Sequence, residues 1–199
     1  MFWDNVAGVY DIFTNIINKK THKGLCERIG ELIFETEEVL ECACGTGLLS
    51  GIIGKKCKKL VATDFSAKML KKASKKHSQY NNIEFKKGNI LQIEYPNETF
   101  DVVVAANVIH LLDEPYKALA ELDRVCRKGG RIIIPTYMNK NDSGKTSGFA
   151  STVGKVGVDF KRQFTFETYK KFIEDAGYQN VEYTLINGRI PCAVAVIVK

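Results

Sequence analysis

The chain has 199 residues, 45% of them hydrophobic and 26% charged, the composition of a folded domain with a sizeable core. Collagen-like, disulfide-framework and wholly disordered classes are excluded. The net charge of +6 is unevenly spread: eleven lysines fall within residues 55–87 against only Asp64 and Glu84, a local +9, while 18 basic and 21 acidic groups elsewhere leave −3.

Apolar spacing predicts helices over 10–20 (Ile12, Phe13, Ile16, Ile17) and 22–34 (Leu25, Ile29, Leu32, Ile33). Residues 39–43 read as a short buried strand ending at Gly45-Thr46-Gly47, followed by a helix over 48–57 and a strand over 60–63 that ends at Asp64. Ser66 is a fitting N-cap for a helix over 67–79, with Met69, Leu70, Ala73 and His77 on one face and lysines on the others. Residues 83–85 make a third strand and 88–99 a loop. The continuous apolar run 100–106 is expected of a strand covered on both faces. A helix over 115–127 is stopped by Gly129-Gly130, and 131–135 is a fifth strand. Residues 139–157, rich in Gly, Ser, Thr, Asn and Lys, read as a mobile loop. Thr165 caps a helix over 166–176, and strands over 181–186 and 193–198 flank Asn187-Gly188, a turn signal. Strands alternating with helices imply a doubly wound α/β sheet.

No apolar run reaches the length of a membrane span, and Met1-Phe2-Trp3-Asp4 offers no basic lead of a secretory signal. A cytoplasmic location is the default expectation. The six cysteines, at 26, 42, 44, 57, 126 and 192, contain no C-x-x-C pair and are expected to be reduced. Cys42 and Cys44 would share a strand face, but no further ligands follow at metal spacing, so no metal site is expected.

The informative stretch is Glu41-Cys42-Ala43-Cys44-Gly45-Thr46-Gly47, between a strand and a helix. Glycines there permit a tight turn and close approach of a ligand. Asp64, at the end of the next strand, is placed to accept hydrogen bonds from ribose hydroxyls. The third glycine of a dinucleotide fingerprint would fall at Ser50, and Glu41 before the turn would repel a phosphate. A carboxylate there suits a nucleoside joined to an amino acid better than a dinucleotide.

This stretch resembles motif I of the class I S-adenosylmethionine-dependent methyltransferases, with alanine at position 43 where glycine is usual. Four further stretches match the family in order: Ala62-Thr63-Asp64-Phe65-Ser66 at the end of strand 2, Gly88-Asn89-Ile90 after strand 3, Phe100-Asp101 with Ala106-Asn107-Val108-Ile109-His110-Leu111 around strand 4, and Arg127-Lys128-Gly129-Gly130-Arg131-Ile132 before strand 5. The fourth is similar to the small-molecule branch that contains quinone-ring C-methyltransferases. The resemblance covers residues 8–199 or so. It implies a Rossmann-like, mostly parallel seven-stranded sheet with an N-terminal helical cap, in one methyltransferase domain. Its parts would be a cap (1–36), a cofactor-binding core (37–138), a mobile loop or cap (139–165), and a final helix with two strands (166–199).

By position, the resemblance implies S-adenosyl-L-methionine as cofactor. Glu41 and Asn107 would lie near the methionine amine, and Ala43, Gly45 and Gly47 would line the methionine portion. Asp64 would hold the ribose, Phe65 and Met69 would lie beside the adenine, and Asn89 with the Ile90 N–H would meet the adenine edge. Tyr10 resembles an N-terminal tyrosine that covers the cofactor, and with Tyr137 it is a candidate to line the acceptor pocket. His110, at the end of strand 4, is a candidate general base if the acceptor must lose a proton. Phe149, Phe160 and Phe164 would pack either over an acceptor or within a cap core. His22 and His77 read as structural or exposed.

Three readings remain open in the sequence: a methyltransferase acting on a small molecule, one acting on RNA or DNA, and a non-catalytic cofactor-binding module. The lysine segment favours the second. Against it, Asn107-Val108-Ile109-His110 stands where base-amine modifiers carry Asn/Asp-Pro-Pro-aromatic, and Pro191-Cys192 lies far from the place of a C5-cytosine nucleophile. Gly144-Lys145-Thr146 lacks both the upstream glycine and the strand of a phosphate loop. The lysines of 55–87 would lie toward the adenine edge of the sheet, away from an acceptor beyond strands 4 and 5, and read more simply as a solvated surface. Oligomeric state is not written in the sequence.

Overall fold

In a computed structural model, which describes residues 18–138 and 161–199, the apolar run after Phe100 becomes the central strand of a seven-stranded sheet. The strands are β1 (Glu38–Cys42), β2 (Lys59–Asp64), β3 (Ile83–Lys87), β4 (Phe100–Ala105), β5 (Cys126–Tyr137), β6 (Val181–Ile186) and β7 (Cys192–Val198). Their order across the sheet is β3-β2-β1-β4-β5-β7-β6. The first five run parallel, and β7 pairs antiparallel with both β5 and β6.

Side-chain alternation in these strands supplies two cores. Leu40, Val103, Ile132 and Ile134 point to the face covered by α4 (Pro115–Val125) and α5 (Phe166–Asp175). Val39, Val102, Val104 and Ile133 point to the face covered by α1 (Lys19–Glu31) and α2 (Ser50–Lys56). A strand buried on both faces needs apolar residues at every position, as Val102, Val103 and Val104 provide, each with no exposed surface. The fifth helix in space, α3 (Ala67–Lys76), is capped by the Ser66 hydroxyl, which accepts from Met69 N at 3.2 Å. It buries Met69 and Ala73 and exposes Lys68, Lys71, Lys72, Lys75 and Lys76.

The structure departs from the expected elements in four places. The boundary expected near residue 21 is not there: α1 begins at Lys19 and runs unbroken through Thr21 and His22, and residues 10–17 lie outside the described residues. Thr21 is buried there because its hydroxyl donates to Ile190 O at 3.0 Å, and Asn18 Nδ2 donates to the same carbonyl. The Gly129-Gly130 pair does not stop a helix. α4 already ends at Val125, and β5 begins at Cys126 and carries both glycines. Gly130 N–Cα backbone packs so closely on Asp101 O that a Cβ would lie 2.6 Å from it, and the register between β4 and β5 shifts there. Cys42 and Cys44 do not share a face: β1 ends at Cys42, Ala43 turns with φ +54°, and the two thiols enter opposite cores. Finally, Asn187-Gly188 opens a five-residue connection, and its glycine admits the side chain of Thr21. The mobile loop expected over 139–157 lies outside the described residues.

Candidate cofactor and active site

The C-terminal ends of β1, β2 and β4 converge on one edge of the sheet, where open α/β sheets bind ligands. The turn after β1 is tied to β2 by the main chain and one carboxylate. Cys44 N donates to Thr63 O at 2.9 Å, and Gly45 N donates to Asp64 Oδ2 at 2.8 Å. The other Asp64 oxygen accepts from Ser66 N at 2.8 Å. The turn takes three left-handed residues, Ala43 (φ +54°), Gly45 (+57°) and Gly47 (+77°). At Gly45 a Cβ would meet nothing within 4 Å, so its glycine answers to conformation and to the open space before it.

Glu41, the penultimate residue of β1, is buried, and Ser50 Oγ at the start of α2 donates to its Oε2 at 2.5 Å. Burial, reinforced by the negative charge of Asp64 and only partly opposed by the Ser50 bond, pushes its pKa up to about 8. A cation placed beside this carboxylate would relieve the cost of its burial.

Gly47 answers to a different neighbour. His77, at the end of α3, is buried, and its Nε2 lies 2.7 Å from Gly47 O. The ring fills the space where a Cβ on Gly47 or Gly51 would stand, at 2.9 and 2.5 Å. It also lies flat beside Phe85, with centroids 6.3 Å apart. His77, read from sequence as structural or exposed, thus fixes the far side of the glycine turn. Its place on the helical face of Met69, Leu70 and Ala73 was the signal in the sequence.

These elements enclose a cavity of about 430 Å³. Of the residues singled out by sequence, Glu41, Ala43, Gly45, Asp64, Phe65, Met69, Asn89, Ile90 and Asn107 all line it, as does Tyr137. Phe65 is 52% exposed at its edge, with Lys87 Nζ 5.5 Å from the ring centroid, whereas Met69 is buried. Asn89 Oδ1 accepts from Leu91 N at 3.0 Å, which shapes the turn after β3. Asn107, left-handed at φ +54°, joins the ends of β4 and β5: its N–H donates to Pro135 O and its Oδ1 accepts from Tyr137 N.

Gly47 does not reach the cavity wall, being turned toward His77. His110 does not line it either. It sits in a single 3₁₀ turn, Ile109–Leu111, 3% exposed, and burial pushes its pKa down to about 4. Tyr10, Phe149 and Phe160 lie outside the described residues. Phe164 packs into the core against Tyr169 and Phe172, with centroids 5.4 and 5.3 Å away. The cavity also recruits His22 and Leu25 from α1, and Val108, Leu111 and Leu112 after β4. Among the described residues no group of His, Cys, Asp or Glu could hold a metal ion.

The sheet order, the glycine turn and the acid at the end of β2 define a nucleoside-binding α/β enzyme of the methyltransferase class. A methyltransferase domain model matches residues 40–134. A demethylmenaquinone methyltransferase of Lactiplantibacillus plantarum is 30% identical, over 93% of this chain and 89% of that protein. A phosphatidylethanolamine N-methyltransferase of Cereibacter sphaeroides is 32% identical over a shorter stretch, 52% of each chain. In structure, a possible histamine N-methyltransferase of Thermotoga maritima shares the fold with a TM-score of 0.75 at 19% identity, covering 98% of this chain and 96% of that one. The chain belongs to the S-adenosylmethionine-dependent methyltransferases of class I, and S-adenosylmethionine is its cofactor.

The cavity fits that cofactor. It offers a buried acid for an ammonium, a second acid for vicinal hydroxyls, apolar and aromatic side chains for a purine, and a main chain without a Cβ at Gly45.

Proposed function

We propose that the enzyme methylates a small, largely apolar acceptor of the quinol class. The observation that carries this reading is the wall of the cavity after β4 and β5. Val108, Leu111, Leu112 and Tyr137 give it an apolar surface, while the lysines of α3 stand exposed on another face. A ring with a hydrocarbon tail is compatible with such a wall, whereas a polynucleotide requires phosphate contacts. The relatives named for demethylmenaquinone and for ubiquinone/menaquinone biosynthesis support the same class.

The bound cofactor supplies a methyl group on a positively charged sulfur, activated toward nucleophiles without help from the protein. The chain's own work is then to bind, orient and exclude water. Asp64 and the turn it braces fix the nucleoside, Glu41 sets the charge at the amino-acid end, and Asn107 holds the ends of β4 and β5 together beside it. We place no proton transfer on His110. A base must come within hydrogen-bond reach of the proton it takes, and His110 is enclosed by the core.

The test is release of S-adenosylhomocysteine from wild-type enzyme offered a reduced demethylmenaquinone analogue, a polyprenyl benzoquinol, phosphatidylethanolamine or bulk transfer RNA. Turnover with a quinol is expected. Turnover confined to the lipid amine or the RNA would overturn the assignment.

A further inference from the structure

The methionine portion of the cofactor carries a carboxylate as well as an ammonium, and the cavity described above contains two carboxylates of its own, Glu41 and Asp64. With Glu41 ionised beside the ammonium, neither can receive a third. Three main-chain donors of the glycine turn are also committed within the chain. Cys44 N donates to Thr63 O, Gly45 N to Asp64 Oδ2, and Gly47 N to Cys44 O at 3.0 Å. One basic side chain remains on the wall among the described residues: His22, on the first turn of α1.

Its position fits the amino-acid end of the cavity. Leu25, on the next turn of the same helix, packs in one apolar cluster with Cys44, Leu49 and Tyr137, the groups around the glycine turn and the end of β5. The adenine end is built by other residues, Phe65, Met69, Asn89 and Ile90. His22 also feels the charge of Lys76, which adjoins the histidine that holds Gly47. The ring is half-buried, with Nε2 3.7 Å from Cys26 Sγ one turn further on.

We propose that His22 is the residue that receives the cofactor's carboxylate, its imidazole N–H donating to the anion and so setting the amino-acid end against Glu41. In the ligand-free chain, burial and then Lys76 lower the pKa of His22. An adjacent carboxylate acts in the opposite sense and strengthens a charge-assisted bond. The α1 helix thereby becomes part of the cofactor site and not only a cover for the sheet. This inference rests on the glycine-turn cavity being the cofactor site.

The experiment compares two ligands that differ in one group, S-adenosylmethionine and its decarboxylated form, by calorimetric titration of the full chain. His22→Ala is expected to weaken S-adenosylmethionine at least tenfold, about 1.4 kcal/mol, and to leave the decarboxylated ligand within about twofold. His22→Gln, which keeps a neutral N–H donor, should recover part of the loss. In unmutated protein, the His22 imidazole should titrate at higher pH with S-adenosylmethionine bound than with the decarboxylated ligand, a readout independent of any variant's folding. Equal weakening of both ligands, or none of either, would overturn the assignment while leaving the cofactor site intact. Failure of wild-type protein to bind both would overturn the cofactor site itself, and this inference with it.

Discussion

Replacing Glu41 by glutamine keeps the side chain's shape and its acceptor for the Ser50 hydroxyl but removes a titrating proton. The carboxyl has an ordinary pKa of 4.5 and is pushed up to about 8 in the folded chain, chiefly by burial. Between those values the folded state holds a proton that the unfolded state has released. Stability is therefore greatest below the unfolded pKa and is lost as pH rises toward 8, by about 1.4 kcal/mol per unit at the steepest. From pH 6 to pH 8 the wild-type protein should lose about 2 kcal/mol that Glu41→Gln keeps. Urea unfolding of both proteins at pH 6, 7 and 8, without cofactor, measures this as a widening gap between midpoints. Contributions from other groups, such as His110, are common to both proteins and cancel in the difference. With saturating S-adenosylmethionine the gap should narrow or reverse, because an ammonium beside Glu41 favours its ionised form. Parallel stability profiles for the two proteins would refute the reasoning.

Three further outcomes follow from the turn. Asp64→Ala removes the acceptor for Gly45 N and Ser66 N as well as the proposed ribose partner, so calorimetric affinity for S-adenosylmethionine should fall at least tenfold, about 1.4 kcal/mol; an unchanged affinity would sink the assignment. Gly51→Ala would gain up to about 1 kcal/mol in helix propensity, yet its Cβ would stand 2.5 Å from a His77 ring tethered to Gly47 O, so a net loss of about 1–3 kcal/mol is expected in urea unfolding. Combined with His77→Ala, that loss should largely vanish, and strict additivity of the two changes would contradict the contact. Ala43→Gly releases an alanine from the left-handed region at a cost to unfolded-state entropy, giving a stability change within about 0.5 kcal/mol of zero or slightly positive, whereas Ala43→Val should lose more than about 1 kcal/mol.

The parts legible in the sequence were those whose cause is local. A strand, a glycine turn and an acid after the next strand announce themselves within 24 residues, because the turn must change hand and the ligand must come close. The Ser66 and Thr165 caps were equally plain, each accepting from the residue three positions on. The parts that were not legible depend on partners far along the chain. His77 sits 30 residues from the carbonyl it meets, and its helical face left it either structural or exposed. The start of β5 depends on pairing, not propensity. Gly129 N donates to Lys199 O and Lys199 N to Gly130 O, so two glycines that would end a helix are held as strand by the end of the chain. His110 was drawn toward catalysis by its place after β4, but the one-turn helix that follows carries its ring into the core and leaves Val108 and Leu111 on the cavity wall.

The lysine-rich segment also reads differently once the elements are placed. Five of its lysines decorate the outer face of α3, whose inner side is fixed by Met69 and Ala73 and whose end carries His77. That helix holds the cofactor turn from behind, so its buried side is constrained by the site while its exposed side is not. Of the two acids on the site's side, Glu41 and Asp64, the ionisation of Glu41 is opposed chiefly by burial and, to a smaller degree, by the charge of Asp64. On the proposed reading a cationic cofactor meets those two carboxylates and not the positive surface outside, and its ammonium favours the ionised form of Glu41. The net charge of +6 therefore describes the exterior and not the two acids on the cavity wall. Raising salt should then weaken cofactor binding only slightly, because charges enclosed in a cavity are screened far less than exposed ones.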